Sequence, residues 1–158
     1  MKILIIGNGG REHALAWKLS QNPRIEQIYI AEGNAGCELL PKVKNIPLNQ
    51  IDVLLDFAKQ HQINLTIVGS EELLVQGIVD KFQACDLKIF GPNQHAAQLE
   101  GSKVFAKDFM NKYGINTAKH QSFSDYAAAL KYLEQINYPI VIKASGLAAG
   151  KGVVIAQN

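Results

Sequence analysis

The chain has 158 residues, 47% of them hydrophobic and 19% charged, with a formal net charge of +2. That apolar share excludes an intrinsically disordered chain, and so small a charge gives no argument for the basic footprint of a nucleic-acid-binding protein. No run of about 18 apolar residues is present to form a transmembrane helix, and the two cysteines, Cys37 and Cys85, lack metal-site spacing and suit a reducing cytoplasm.

Length predicts one domain and a fraction of another. Residues 2–6 form a short unbroken apolar run, the pattern of a strand covered on both faces. The run is too short for a signal peptide and leads into Gly7-Asn8-Gly9-Gly10. A helix is predicted from Gly10, with a broad apolar face of Ala14, Leu15, Ala16, Trp17 and Leu19, stopping at Asn22-Pro23. Residues 27–31 read as a second strand and residues 32–41 as a loop. Residues 45–48 read as a short third strand, and Asn49 as the N-cap of a helix with Ile51, Leu54, Leu55 and Ala58 on one face. Leu65–Val68 is the fourth strand, residues 73–84 one helix, and residues 88–90 the fifth strand before the break at Gly91-Pro92-Asn93. Strands alternating with helices predict an α/β fold with a parallel, doubly wound sheet.

Beyond Pro92 the texture changes. A short helix over residues 94–100 precedes Gly101-Ser102, and Ser102 caps a helix carrying Val104, Phe105, Phe109 and Met110, a core stripe closed by Gly114. Residues 119–123 read as a strand, and Ser124 as the cap of a helix reaching about Asn137. Residues 140–144 and Val153–Ala156 then form a hairpin around a loop rich in glycine and alanine.

Two places can carry chemistry. Glycine-rich turns from strand to helix expose backbone N–H groups at the positive end of the helix dipole, and Gly9 and Gly10 lie at such a turn. The G-x-G-x-x-G pattern is incomplete, because Glu12 stands where the third glycine would fall. Glu32, at the end of the second strand, takes the place of a ribose-binding acid, which keeps a dinucleotide site open beside a plain tight turn. The loops beginning at Gly7, Gly33 and Gly69 each follow a strand, so they are expected to gather at the carboxyl edge of the sheet, where ligands bind.

The second place is the late hairpin. About eight residues separate its strands, where two to five would suffice. Small side chains let backbone amides wrap a phosphate, and Lys143 and Lys151 offset its charge. It is not a Walker loop, since Ser145 and Gly152 stand where that motif needs Gly and Ser or Thr. Glu71 and Glu72 also suit a helix N-terminus, and Lys103 an exposed first turn. No Ser–His–Asp or Cys–His set is present, so no catalytic residue and no metal ligand is assigned.

Together these strings resemble a known family. The stretch from Lys2 to Ala14, with its GNGGREHA string, is similar to the amino terminus of the phosphoribosylamine–glycine ligases (glycinamide ribonucleotide synthetases) of the ATP-grasp superfamily. The likeness continues through Gly33-Asn-Ala-Gly36, Leu65-Thr-Ile-Val-Gly69, Lys88-Ile-Phe-Gly-Pro92, Ala97-Gln-Leu-Glu-Gly-Ser-Lys103 and Gly146-Leu-Ala-Ala-Gly-Lys-Gly-Val153. It implies a Rossmann-like pre-ATP-grasp domain over residues 1–100, then a linker helix and the beginning of an ATP-grasp lobe over residues 101–158.

The implied reaction joins glycine to 5-phosphoribosylamine with cleavage of ATP to ADP and phosphate, a cytoplasmic step of de novo purine synthesis by a monomer, without nucleic acid or membrane. The resemblance assigns Lys103, Lys143, Ser145, Gly146, Gly150, Lys151 and Gly152 to ATP, and Gly9, Gly10, Asn34, Gly36, Gly69 and Glu71 to the phosphoribosyl side. It implies Mg²⁺, or Mn²⁺, on ligands beyond residue 158, so the 158 residues alone are expected to be inactive. Two positions depart from the family pattern: Ser70 replaces a proline, and Ser145 an aspartate. Lys143-Ala-Ser-Gly146 is the form of biotin carboxylases, which leaves another ATP-grasp ligase, or a non-catalytic phosphate-binding module, as alternatives.

Overall fold

The computed structural model describes residues 1–148 and 151–158. They divide into two units, Met1–Ala97 and Gln98–Asn158. In the first, strands β1 (Lys2–Gly7), β2 (Gln27–Glu32), β3 (Val43–Ile46), β4 (Leu65–Val68) and β5 (Ile89–Phe90) alternate with helices α1 (Gly10–Ser20), α2 (Ala35–Glu38), α3 (Ile51–Gln60), α4 (Glu71–Val75) and α5 (Ile78–Gln83). The strands form one parallel sheet in the order β3-β2-β1-β4-β5. β1 is central and buried on both sides, which is why residues 3–6 are apolar without alternation. Ile3 and Ile5 face a cluster with Ala16 and Cys37, whereas Leu4 and Ile6 face one with Leu54, Leu73, Val79 and Phe82. Helices therefore cover both faces, and each fully buried Ile or Leu contributes about 2 kcal/mol.

Several elements differ from expectation, each for a local reason. The third strand runs two residues earlier than predicted, because Pro47 has no N–H for a ladder. The loop after β2 contains α2, whose first amides are capped by Asn34. Gln50, not Asn49, is the N-cap residue of α3, and Asn49 bonds Glu32 instead. The single helix expected over residues 73–84 is two, α4 and α5, parted at Gly77 with φ +86°. The face α1 buries is Glu12, Ala16 and Ser20, a stripe at i, i+4, i+8 whose small members let the helix lie close to the sheet. Ala14, Leu15 and Trp17 point away, and Trp17 is 54% exposed.

α6 (Gln94–Gly101) crosses the boundary between the units. The second unit continues with α7 (Lys103–Lys112), α8 (Tyr126–Leu133) and an antiparallel hairpin of β6 (Ile140–Lys143) and β7 (Val153–Ala156). Ser102 caps α7 by accepting from Phe105 N at 3.2 Å. The cap of α8 is Asp125, not Ser124, and that helix ends at Leu133. Residues 119–123 are not a strand, since among the described residues β6 and β7 pair only with each other and offer them no ladder. Val104, Phe105, Phe109 and Met110 are half-buried, and no described residue of this unit is fully buried.

Candidate functional site

The carboxyl ends of β1, β2 and β4 lie level, with Gly7 opposite Glu32 and Ile6 opposite Val68. The three glycine-bearing loops therefore meet on one edge, as their positions after strands predicted. Arg11, in the first turn of α1, reaches across to the β4 loop, where Nη2 donates to Gly69 O at 2.9 Å and to Glu71 Oε1 at 2.7 Å. The Glu71 carboxyl is held below the ordinary glutamate value, first by its own backbone N–H. Desolvation opposes this, and the hydrogen bond and charge of Arg11 reinforce it.

The loop after β2 is tied to the loop after β1 by asparagines. Asn34 Nδ2 donates to Asn8 O at 3.0 Å and Gly9 O at 3.2 Å, while its Oδ1 accepts from Gly36 N at 3.0 Å and Cys37 N at 3.2 Å. Both hydrogens and both lone-pair positions of that amide are used within the chain. Asn45 Nδ2 donates to Asn34 O at 2.9 Å, which pins the loop from β3. Glu32, at φ +68°, accepts from Asn8 Nδ2 at 3.2 Å and Asn49 Nδ2 at 3.3 Å.

Glu12 explains the incomplete glycine pattern. Its side chain is 3% exposed, and Oε2 accepts from Gly9 N at 2.7 Å. The Gly9 amide thus donates to the chain itself. A Cβ on Gly69 would overlap this carboxylate, and one on Gly7 would lie 2.8 Å from Glu12 Cδ. At Gly10 a Cβ would meet nothing within 4 Å, so no described neighbour requires glycine there. Sequence reasoning missed Glu12, Arg11 and Asn45 as parts of this edge. A glutamate in place of a spacing glycine was the available signal for the first, whereas the other two carry none until the strands are paired.

The second unit holds the other predicted group. Lys103 Nζ donates to Gly146 O at 2.6 Å, bringing the start of α7 to the hairpin loop. Lys143 is exposed at the end of β6, paired with Val153. Ser145 and Lys151 are exposed, and Gly146 has φ +94°. Gly152 O accepts from Ala144 N at 2.8 Å, and Ala148 O from Lys151 N at 2.8 Å. Gly150 lies outside the described residues. Among the described residues no three His, Cys, Asp or Glu side chains converge as metal ligands, and no helix is long and apolar enough to cross a membrane.

Comparison with known proteins divides the chain close to the same point. Residues 1–100 match the family model "Phosphoribosylglycinamide synthetase, N domain", and residues 101–158 match "Phosphoribosylglycinamide synthetase, ATP-grasp (A) domain". The phosphoribosylamine–glycine ligase of Fusobacterium nucleatum is 64% identical over 158 residues, covering all of this chain and 37% of that protein. The crystal structure of phosphoribosylamine–glycine ligase from Thermotoga maritima superposes with a TM-score of 0.75 at 31% identity, over 100% of this chain and 36% of that one. The biotin carboxylase domain of Hydrogenobacter thermophilus 2-oxoglutarate carboxylase reaches a TM-score of 0.75 at 19% identity, covering 99% of this chain and 37% of its own, a likeness of fold alone. The chain spans little more than a third of the length of these relatives. With its first hundred residues matched by one model of the family and the remainder by the next, the chain belongs to the phosphoribosylglycinamide synthetase family.

Proposed function

We propose that the chain is the amino-terminal part of an ATP-dependent carbon–nitrogen ligase that joins glycine to 5-phosphoribosylamine, giving glycinamide ribonucleotide, ADP and phosphate. The reading takes this ligase as a cytoplasmic monomer. One observation carries the proposal: 64% identity, along every residue of the chain, to a phosphoribosylamine–glycine ligase.

The chemistry divides in two. A glycine carboxylate oxygen attacks the γ-phosphorus of ATP, so that a P–O bond forms to glycine as the bond to ADP breaks. The amine of phosphoribosylamine then attacks the carbonyl of glycyl phosphate, loses a proton and expels phosphate. Both steps move negative charge, so positioned cations and amides supply most of the catalysis. In this reading Lys103 and Lys143 neutralise the nucleotide phosphates, and Ser145, Gly146, Gly150, Lys151 and Gly152 fold over them. Support comes from Lys103 Nζ, which already sits against the loop at Gly146 O. This reading assigns Mg²⁺ no ligand among these residues.

Gly9, Gly10, Asn34, Gly36, Gly69 and Glu71 shape the phosphoribosyl side. Gly10 fits a contact with ligand, since neither a neighbour nor a positive φ demands glycine there. Asn34 acts by holding its loop, because its amide is saturated. The test is ADP release by the full-length ligase with each substrate withheld in turn. Release that requires both glycine and phosphoribosylamine supports the proposal. Release driven equally well by bicarbonate in place of glycine contradicts it.

A further inference from the structure

Glu12 is buried in a way that capping a helix does not require. Its Oε2 takes the Gly9 N–H at 2.7 Å, but Oε1 is buried without a hydrogen-bond partner among the described residues, and Arg11 Nε stands 3.8 Å away. A glutamate at this third helical position can take the N-cap amide while its other oxygen stays in water, whereas a buried, half-bonded carboxylate costs free energy. What the buried carboxylate does in addition is separate two loops. Gly7 and Gly9 press on it from the β1 side, where a Cβ would lie 2.8 Å from Glu12 Cδ and 3.0 Å from Oε2 respectively. Gly69 presses from the β4 side, so closely that any Cβ there would overlap Oε1. The same β4 loop is gripped from outside by Arg11, through Gly69 O at 2.9 Å and Glu71 Oε1 at 2.7 Å.

We propose that Glu12 is a positioning residue for the phosphoribosyl substrate: its buried carboxylate is the spacer that sets the distance between residues 7–10 and residues 69–71, and it touches no substrate itself. The inference rests on the function proposed above, which lines the phosphoribosyl side with these two loops. It assigns Gly7, Gly9 and Gly69 a steric task, clearance for one carboxylate, and leaves Gly10 as the glycine turned to the ligand. Glutamine fills the same volume but brings an NH₂ group. Either that group faces the Gly9 N–H, losing the bond, or it faces Gly69 and the Arg11 guanidinium, losing the attraction. Both alter the spacing.

The experiment is steady-state kinetics of the full-length ligase carrying Glu12→Gln, and separately Gly69→Ala, with each KM measured. Each variant is expected to raise KM for phosphoribosylamine about tenfold or more while KM for ATP and glycine stays within about twofold. A Cβ at position 69 competes with the carboxylate for one space, so Glu12→Ala combined with Gly69→Ala is expected to be no worse than Glu12→Ala alone. A merely structural role would instead lower the unfolding midpoint and leave all three KM values unchanged in the folded fraction. That result overturns the proposal, as does additive loss in the double variant, and so does failure of both single variants to fold. Wild-type enzyme that shows no dependence on phosphoribosylamine removes the underlying reading. Wild-type dependence with an unaltered Glu12→Gln enzyme removes only the spacer.

Discussion

The Arg11–Glu71 pair bridges two loops while remaining open to solvent, at 65% and 38% side-chain exposure. Such a pair contributes only about 0.5 kcal/mol, and its worth lies in orientation. Because the folded state lowers the Glu71 pKa, the contribution is complete above the ordinary carboxylate range and is lost as pH falls through the lowered value. Wild type and Glu71→Gln are therefore expected to differ in urea midpoint at pH 7 and to converge as the pH falls below the lowered Glu71 value. A difference that grows on acidification would contradict this sign. At the other cluster, Lys143 stands exposed at the end of β6. Lys143→Ala is expected to raise the ligase's KM for ATP by about ten- to a hundredfold, from roughly 1.5–3 kcal/mol for a charged contact, with KM for glycine little changed. A larger effect on glycine would remove Lys143 from the nucleotide side.

Among the elements, the break between α4 and α5 shows best what tertiary structure demands of one residue. Gly77 has φ +86°, and a Cβ there would lie 3.3 Å from Gln94 Cδ. Gly77→Ala is expected to destabilise the chain by about 1–2 kcal/mol, read as a lower unfolding midpoint. Gly77 was the visible signal across residues 73–84, but an isolated glycine is tolerated inside a helix, so the apolar residues on both sides of it read as one helix. β1 was legible, because burial on both faces leaves an unalternating apolar run. So was the gathering of the three loops, which follows from parallel strands alone. The face of α1 was not, since its buried stripe contains a glutamate and a serine, while Leu15 and Trp17 look outward. Periodicity weighs hydrophobicity, whereas this helix is positioned by small size and by one carboxylate. Lys103, Lys143 and the hairpin loop were legible as a phosphate-like pattern, but the Lys103–Gly146 bond joins residues 43 apart in the chain and needed the fold.

Taken whole, the two units are built differently. Met1–Ala97 buries a sheet between helices, with Leu4, Ile5, Ile28, Ile30 and Phe82 at 0% exposure. In Gln98–Asn158 no described residue is fully buried, and Val154 and Ile155 of β7 are 62% and 61% exposed. The first unit presents a finished edge of loops, whereas the second presents lysines and amides on a lightly packed hairpin. In the ligase proposed above, phosphate chemistry on the hairpin side activates glycine for an amine held by the loop edge. The claim that joins them is an acyl phosphate of glycine, and one measurement tests it most directly. Glycine labelled with heavy oxygen in its carboxylate is supplied to the full-length ligase with ATP and phosphoribosylamine, and the released phosphate is weighed by mass spectrometry. The account requires one labelled oxygen in each phosphate formed; unlabelled phosphate, released in step with product, would contradict it.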